Sequence, residues 1–144
     1  MKKLLIAIFG VILFTTQGIA SEMVRITEYV DEHDKRTAYV TTFDVLKKCP
    51  EWTLDKEPPL PINKAVDIAA QWAKKKYPQI QNQTVVSISL SEIWNEKFKN
   101  RWYYTVSFNA GADLDGINAN AFFNVIVLMD GTVVGPTTSK SEER

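Results

Sequence analysis

The pattern of hydrophobic and polar residues changes its period near residue 80. Before that point, apolar residues recur every three or four positions over residues 63–77, which is the period of a helix with one buried face. Asn63 is the predicted N-cap, and the lysines that precede Pro78 suit the negative end of a helix dipole. The pattern therefore predicts one amphipathic helix over residues 63–77.

After the helix the period becomes two, which is the period of a β-strand. Valine, isoleucine and leucine alternate with serine over residues 86–91, so this strand is predicted to have one buried and one wet face. Asp130 and Gly131 lie between apolar flanks, which predicts a two-residue hairpin turn with a positive φ at Gly131. The predicted strands are 86–91, 102–108, 122–129 and a short fourth at 132–134.

The residues before the helix predict an N-terminal extension rich in β-structure. β-Branched and aromatic side chains flank a charged turn at residues 31–36, which favours a hairpin. Three prolines within residues 58–61 then predict a stiff, extended connector. The fold class is therefore α+β, with one main helix packed on an antiparallel meander sheet of three to four strands after this extension. The expected segments are an N-terminal extension and connector at 21–59, an α+β domain at 60–136 and a loose polar tail at 137–144.

The first 20 residues have the composition of a cleavable signal peptide. Two lysines precede an almost unbroken apolar run over residues 4–14, and the small residues Gly18 and Ala20 lie just before Ser21, as a signal peptidase requires. A membrane-spanning helix needs about 20 apolar residues, so no stable membrane anchor is expected. The sequence predicts a mature protein that begins at Ser21 and lies in the periplasm or outside a bacterial cell.

Charge and cysteine content narrow the range of functions. Removing Lys2 and Lys3 with the signal leaves 15 basic against 17 acidic residues, and this near-neutral balance argues against a nucleic-acid partner. The single cysteine, Cys49, cannot form an internal disulfide, and the one histidine, His33, lies in a charged stretch where it is poorly placed as a catalytic base. Cys49 is therefore interpreted as a semi-buried structural residue. No catalytic residue and no cofactor is predicted.

The loop at residues 113–120 is rich in the oxygen donors that calcium prefers. Its weak candidates for metal ligands are Asp113, Asp115 and Asn118. Counting from Asp113, however, Asn124 falls at the twelfth position, where an EF-hand has glutamate. Asp, Asn and Gly are also the residues that ordinary turns need, so no metal site is predicted.

The order of helix, strands and hairpin resembles that of the PepSY-like domains found in peptidase propeptides and in small exported bacterial proteins. The likeness lies in the alanine-rich segment at 64–72, the aromatic strand at 102–106 and the closing hairpin at 125–134, and it covers about residues 60–135. The resemblance implies a non-catalytic domain, which in some members inhibits a peptidase. It defines no binding residue that can be carried over to a position of this chain.

Aromatic residues are concentrated in the second predicted strand of the sheet. Strand alternation places Trp102 and Tyr104 on one face and Tyr103 on the other. Val106 and Phe108 continue the Trp102 row as a wide apolar stripe, so we expect the helix to cover that face.

The Tyr103 face admits two interpretations. Exposed aromatic patches usually mark a binding surface, and on that view the tentative binding residues are Tyr103, Thr105 and Ser107, which suit a half-wet face, together with Trp94. Alternatively, residues 23–52 fold over it. The leading functional hypothesis is a non-enzymatic exported protein-binding module, with another periplasmic protein or a peptidase as partner. The alternative is a periplasmic protein that binds a small molecule or a glycan.

Overall fold

The computed structural model describes residues 21–30, 36–80, 83–110 and 122–138. The predicted signal peptide at residues 1–20 lies outside this part of the chain. A single 3-10 turn, Glu96–Phe98, accompanies the helices and strands of the described residues. The elements in chain order are β1 (Met23–Val30), β2 (Arg36–Thr42), α1 (Phe43–Lys48), α2 (Ile62–Lys76), β3 (Thr84–Glu92), β4 (Trp102–Asn109), β5 (Phe122–Leu128), β6 (Val133–Val134) and β7 (Pro136–Thr138).

Two antiparallel sheets and one main helix form an α+β fold, as predicted. The larger sheet has the strand order β3-β4-β5-β6, and the smaller has the order β1-β2-β7. The N-terminal hairpin predicted on either side of residues 31–36 is present, since β1 and β2 pair antiparallel. Helix α2 packs on one face of the larger sheet, and the smaller sheet covers the other. The central strands β4 and β5 therefore lie between two layers, which is why β5 is apolar on both of its faces.

Helix α2 lies on the Trp102 face of the larger sheet, as the apolar row of β4 predicts. The hydroxyl of Tyr104 donates to the carbonyl of Leu60, just before the helix, at 3.0 Å. At the other end of α2, the ring of Tyr77 packs edge-on against Phe123 with the ring centroids 5.0 Å apart. Phe123 stacks in turn on Phe108, a member of the apolar row. The helix is thus fixed to this face at both of its ends.

The prediction of Asn63 as the N-cap is wrong. Helix α2 begins at Ile62, and the N-cap residue is Pro61, which makes no side-chain capping bond. The proline ring already holds Pro61 in an extended conformation with φ −61° and ψ 144°, so the helix can begin directly after the connector. The carbonyl of Pro61 accepts from the backbone N–H groups of Lys64 and Ala65. Asn63 therefore lies inside the first turn and cannot cap it.

The turn between β5 and β6 contains Gly131 with a positive φ of 86°, as predicted, but it is one residue longer than expected. Leu128 donates its backbone N–H to the carbonyl of Thr132, so three residues rather than two connect the strands. The N–H of Gly131 returns to the carbonyl of Leu128 and closes a β-turn, and Gly131 then supplies the left-handed residue. Asp130 stabilises this loop by accepting from the N–H of Thr132 at 2.9 Å.

The prediction of a loose polar tail from residue 137 is wrong for its first two residues. Thr137 and Thr138 belong to β7, which pairs antiparallel with Ala38 and Thr37 of β2. The chain passes from the larger sheet to the smaller one through Gly135, between β6 and β7. Residues 139–144 lie outside the described part of the chain.

Candidate interaction surface

The Tyr103 face of the larger sheet is covered by the smaller sheet. Tyr103 and Thr105 are only 6% and 4% exposed, so the expectation of a half-wet face is wrong for both residues. Ser107 is half-buried and donates to the side-chain oxygen of Asn124 at 2.7 Å. These three tentative binding residues therefore line the space between the sheets, and a partner cannot reach Tyr103 or Thr105 without separating them.

Hydrogen bonds join the two sheets across this interior. The hydroxyls of Tyr29 and Thr105 lie 3.2 Å apart, and the hydroxyl of Tyr39 donates to the backbone carbonyl of Asn124 at 2.8 Å. Burial raises the pKa of Tyr39 well above its usual value, so this hydroxyl keeps its proton and remains a donor. Val24 and Ile26 of β1 complete the cover with buried side chains. The second interpretation of this face is therefore correct for strands β1 and β2, whereas Trp52 packs against Trp102 on the opposite face.

Trp94 differs from the other tentative binding residues because it is 98% exposed. It lies two residues after the end of β3 and borders a surface depression of about 410 Å³. Hydrogen bonds hold the backbone that lines this depression. The Glu92 carboxylate accepts from the N–H of Asn100 at 2.8 Å, and the side chain of Asn95 caps the following 3-10 turn. Asn100 has a positive φ of 59°, a conformation that asparagine tolerates better than most residues. The depression is lined by Glu92, Ile93, Trp94, Asn95, Glu96, Lys99 and Asn100.

Strand β3 forms an open edge of the larger sheet. It pairs with β4 on one side, and no strand of the described residues pairs with it on the other. The predicted buried face of this strand is only partly covered, since Ile88 and Leu90 are each 37% exposed and Val86 is 50% exposed. The reason is that α2 packs over β4, β5 and β6 rather than over β3. We call the unpaired side of β3, with Ile88 and Leu90, the β3 edge.

Residues 87–91 of the β3 edge lack the features that usually protect an edge strand. Such strands commonly carry charged residues, proline or a disruptive bulge. Strand β1, the long edge of the smaller sheet, has a bulge in mid-strand and an ion pair between Arg25 and Glu28 at 2.6 Å. Strand β3 contains no lysine, arginine or proline; Glu92 at its end is its single charged residue. Its bulge lies near its start, between Val85 and Ser87, and leaves residues 87–92 regular.

Charges of opposite sign lie at the two ends of the β3 edge. At the start, the side-chain amide of Gln83 donates to the carbonyls of Ala73 and Tyr77, which places the end of α2 near the start of β3; the last turn of α2 carries three exposed lysines. At the other end are Glu92 and the residues that follow it. The charged residues at the start are Lys74, Lys75 and Lys76. Those at the other end are Glu92, Glu96 and Lys99. Lys97 also lies at that end, but it forms an ion pair with Glu22.

Cys49 is a structural residue. It is buried, not semi-buried as predicted, and its N–H ends helix α1 by donating to the carbonyl of Leu46 at 3.2 Å. Burial is the main cause that raises the pKa of the thiol. A buried thiol with a raised pKa forms little thiolate and is a poor nucleophile.

The described residues show neither a cluster of metal ligands nor a helix able to span a membrane. The described residues contain no group of three or more His, Cys, Asp or Glu side chains placed to hold a metal ion. The weak metal candidates Asp113, Asp115 and Asn118 lie outside those residues, as does His33. Within the described ranges, no helix is both long and apolar enough to cross a bilayer.

Comparison with known proteins gives no relative for this chain: no protein-family model, no curated protein and no solved structure matches it.

The sequence pattern did not identify the β3 edge as a surface. The predicted meander places this strand at an edge of the sheet, but alternation over residues 86–91 does not show that α2 leaves its apolar face partly exposed, because that depends on how the helix packs over the later strands. One signal was present: the apolar positions of β3 are aliphatic, whereas β4 and β5 carry the large aromatic residues that meet the helix. The tentative residue Trp94 lies beside this edge, and the other three tentative residues do not.

Proposed function

We propose that this protein is an exported, non-enzymatic protein-binding module, and that the β3 edge is its binding element. The observation that carries the proposal is a nine-residue edge strand with three exposed aliphatic side chains, Val86, Ile88 and Leu90, and no protecting residue over 87–91. A partner in extended conformation adds a strand to this edge. The predicted signal peptide supports a site of action in the periplasm or outside the cell.

Strand addition suits the chemistry of this edge. The unpaired N–H and C=O groups of β3 supply affinity for any extended chain, because each of them gains a hydrogen bond when a strand is added. Ile88 and Leu90 add selectivity for apolar side chains at alternate positions of the partner. On the other face Ser87 and Ser89 are exposed and small, so they favour small or polar residues there. The resemblance to PepSY-like domains supports a peptidase among the candidate partners.

Photo-crosslinking in intact expressing cells tests this proposal. A photoreactive amino acid at Ser89, exposed in the middle of β3, should yield covalent adducts, whereas the same amino acid at exposed Gln71 of α2 should yield few. Leu90→Lys introduced with the Ser89 crosslinker should remove the adducts, because a lysine protects a strand edge. The mass of each adduct identifies the partner. Equal adducts at both positions, or none at Ser89, would contradict the proposal.

A second function, the binding of a small molecule or a glycan, is favoured by the depression beside Trp94. An indole that is almost fully exposed offers a flat apolar surface, and the polar side chains around it can orient a ligand. The test is a titration of soluble glycans and small molecules monitored by tryptophan fluorescence. Saturable changes that disappear in Trp94→Ala would support this function, and changes that persist in that variant would exclude this site.

A further inference from the structure

We infer that the strand added to the β3 edge is β3 of a second copy of this chain, so that the two sheets join into one continuous sheet of eight strands. This inference rests on the proposed function of the edge and names its partner. Three properties of β3 support it: the distribution of its side chains, the length of its regular part and the charges at its ends.

The aliphatic face of one β3 strand continues into the aliphatic face of the other only if the numbers of residues opposite each other differ by an even number. In an antiparallel pair, residues directly opposite each other lie on the same face of the sheet. A two-fold axis through Ser89 therefore sets Ile88 beside Leu90 of the partner subunit, and Ser87 beside Ser91 of the partner subunit. A register shifted by one residue would set aliphatic side chains beside serines and place the two α2 helices on opposite faces.

The bulge and the charged end of β3 select the register centred on Ser89. Centring on Leu90 would pair Leu90 with its own copy and set both Ile88 side chains opposite Glu92 of the partner subunit, whereas centring on Ser89 sets Glu92 opposite Val86 at the bulge. Centring on Ser89 therefore forms two Ile88–Leu90 pairs within the regular part that follows the bulge at Val85/Ser87, against the single Leu90–Leu90 pair of the other register. Both α2 helices then lie on the same side of the joined sheet.

When two β3 strands pair antiparallel, the positively charged end of each edge lies beside the negatively charged end of the other. Antiparallel pairing brings Glu92 and Glu96 of one copy beside the end of α2 of the other, where the exposed lysines of residues 74–76 lie. The Glu92 and Glu96 carboxylates outnumber Lys99 at their end. The attraction between opposite charges across the contact favours this orientation, and salt weakens that attraction. A parallel arrangement would bring like charges together.

Sedimentation velocity over a range of concentrations tests for the dimer. The wild type should change from monomer to dimer as concentration rises, and 0.5 M salt should weaken the association. Leu90→Lys should raise the dissociation constant by about 100-fold or more, because it places a charge in the joined strands. Leu54→Lys is the matched control, since Leu54 is an exposed leucine in the connector before α2. Circular dichroism confirms that both variants are folded.

A cysteine scan tests the register. Only the position on the two-fold axis faces its own copy, so Ser89→Cys should form an intermolecular disulfide under mild oxidation much faster than Ser87→Cys or Ser91→Cys. The buried Cys49 does not compete. Faster reaction at Ser87 or Ser91 would overturn the register.

The outcomes separate this inference from the proposed function. A wild type that stays monomeric at millimolar concentration, while the Ser89 crosslinker captures a protein of another mass, would overturn the dimer and leave the protein-binding function standing. A dimer that Leu90→Lys leaves intact would show that the copies meet elsewhere and overturn the inference. Crosslinked adducts at twice the mass of the mature chain, lost in Leu90→Lys, would support both.

Discussion

The indole of Trp72 packs directly against the backbone of Gly135. A Cβ atom added at Gly135 would lie 2.9 Å from Cζ2 of Trp72, closer than side chains normally approach each other. Gly135 lies where the chain leaves β6 for β7, so this contact joins helix α2 to the point at which the chain changes sheets. The absence of a side chain at Gly135 is what lets the helix lie this close to the sheet.

The first prediction follows from that contact. Gly135→Ala should lower the free energy of unfolding by about 1–3 kcal/mol, because the new methyl group displaces the indole ring. Urea denaturation monitored by circular dichroism measures the change. In a Trp72→Phe background the smaller ring leaves room, so the cost of Gly135→Ala should be lower there. Equal costs in both backgrounds would show that the indole is not the cause.

Gly131 should be sensitive to substitution for a different reason. Its φ of 86° strains any side chain branched at Cβ, and an added Cβ would also lie 3.3 Å from Cδ1 of Ile68. Gly131→Val should therefore lower the free energy of unfolding by about 1 kcal/mol or more. Gly131→Asn should cost less, since asparagine tolerates this region of backbone conformation. A valine variant as stable as the asparagine variant would mean that backbone strain is not the dominant effect.

Tyr103 is predicted to be a stability determinant, not a binding residue. Tyr103→Ala should lower the free energy of unfolding by about 3–5 kcal/mol, as for other buried aromatic side chains. Trp102, on the opposite face, is half-buried and packs edge-on against Trp52 with the ring centroids 5.4 Å apart. Its indole N–H donates to the carbonyl of Trp52 at 3.0 Å. Trp102→Ala should therefore also destabilise the protein, and a stable, folded Tyr103→Ala variant would contradict the layer assignment.

The fold was predictable from the sequence wherever a local pattern decides the structure. The period of three to four residues gives α2, and alternation gives β4 and β5, because each of these elements buries a face defined by neighbouring residues. The cover over Tyr103 and the partly exposed apolar face of β3 depend on contacts between distant residues, such as the pairing of Tyr39 with Pro136, and no local pattern encodes them. The same limit explains why Thr137 was predicted to lie in a loose tail.

Cys49 should be slow to react in the native state. Burial keeps its thiol protonated and away from reagents, so a thiol reagent such as Ellman's reagent should label the folded protein far more slowly than the denatured one. Cys49→Ala should lower the free energy of unfolding by about 1 kcal/mol, since it removes a small buried group. Rapid labelling of the folded protein, at a rate close to that in denaturant, would show that the site is open.

The last prediction concerns alkaline pH. Tyr39 is buried and donates to the carbonyl of Asn124, and burial raises its pKa in the folded state above the value of about 10 in an unfolded chain. A group with a raised pKa binds its proton more tightly when folded, so its contribution to stability is fully present below pH 10 and is lost as pH rises above that value. The free energy of unfolding should therefore fall above pH 10, by up to about 1.4 kcal/mol per pH unit for this one proton. Tyr39→Phe is the control.

The phenylalanine variant separates the titration from the hydrogen bond. It should be less stable than the wild type at pH 7 by about 1 kcal/mol, because the Asn124 carbonyl loses its donor. Above pH 10 its stability should fall less steeply than that of the wild type, although burial raises the pKa values of Tyr77 and Tyr104 as well, so some pH dependence remains. Urea unfolding at several pH values between 8 and 11.5, with tyrosinate absorbance at 295 nm, measures both effects. Parallel curves for the two proteins would show that Tyr39 does not hold its proton in the folded state, and the hydrogen bond between the two sheets would then have to be reassigned.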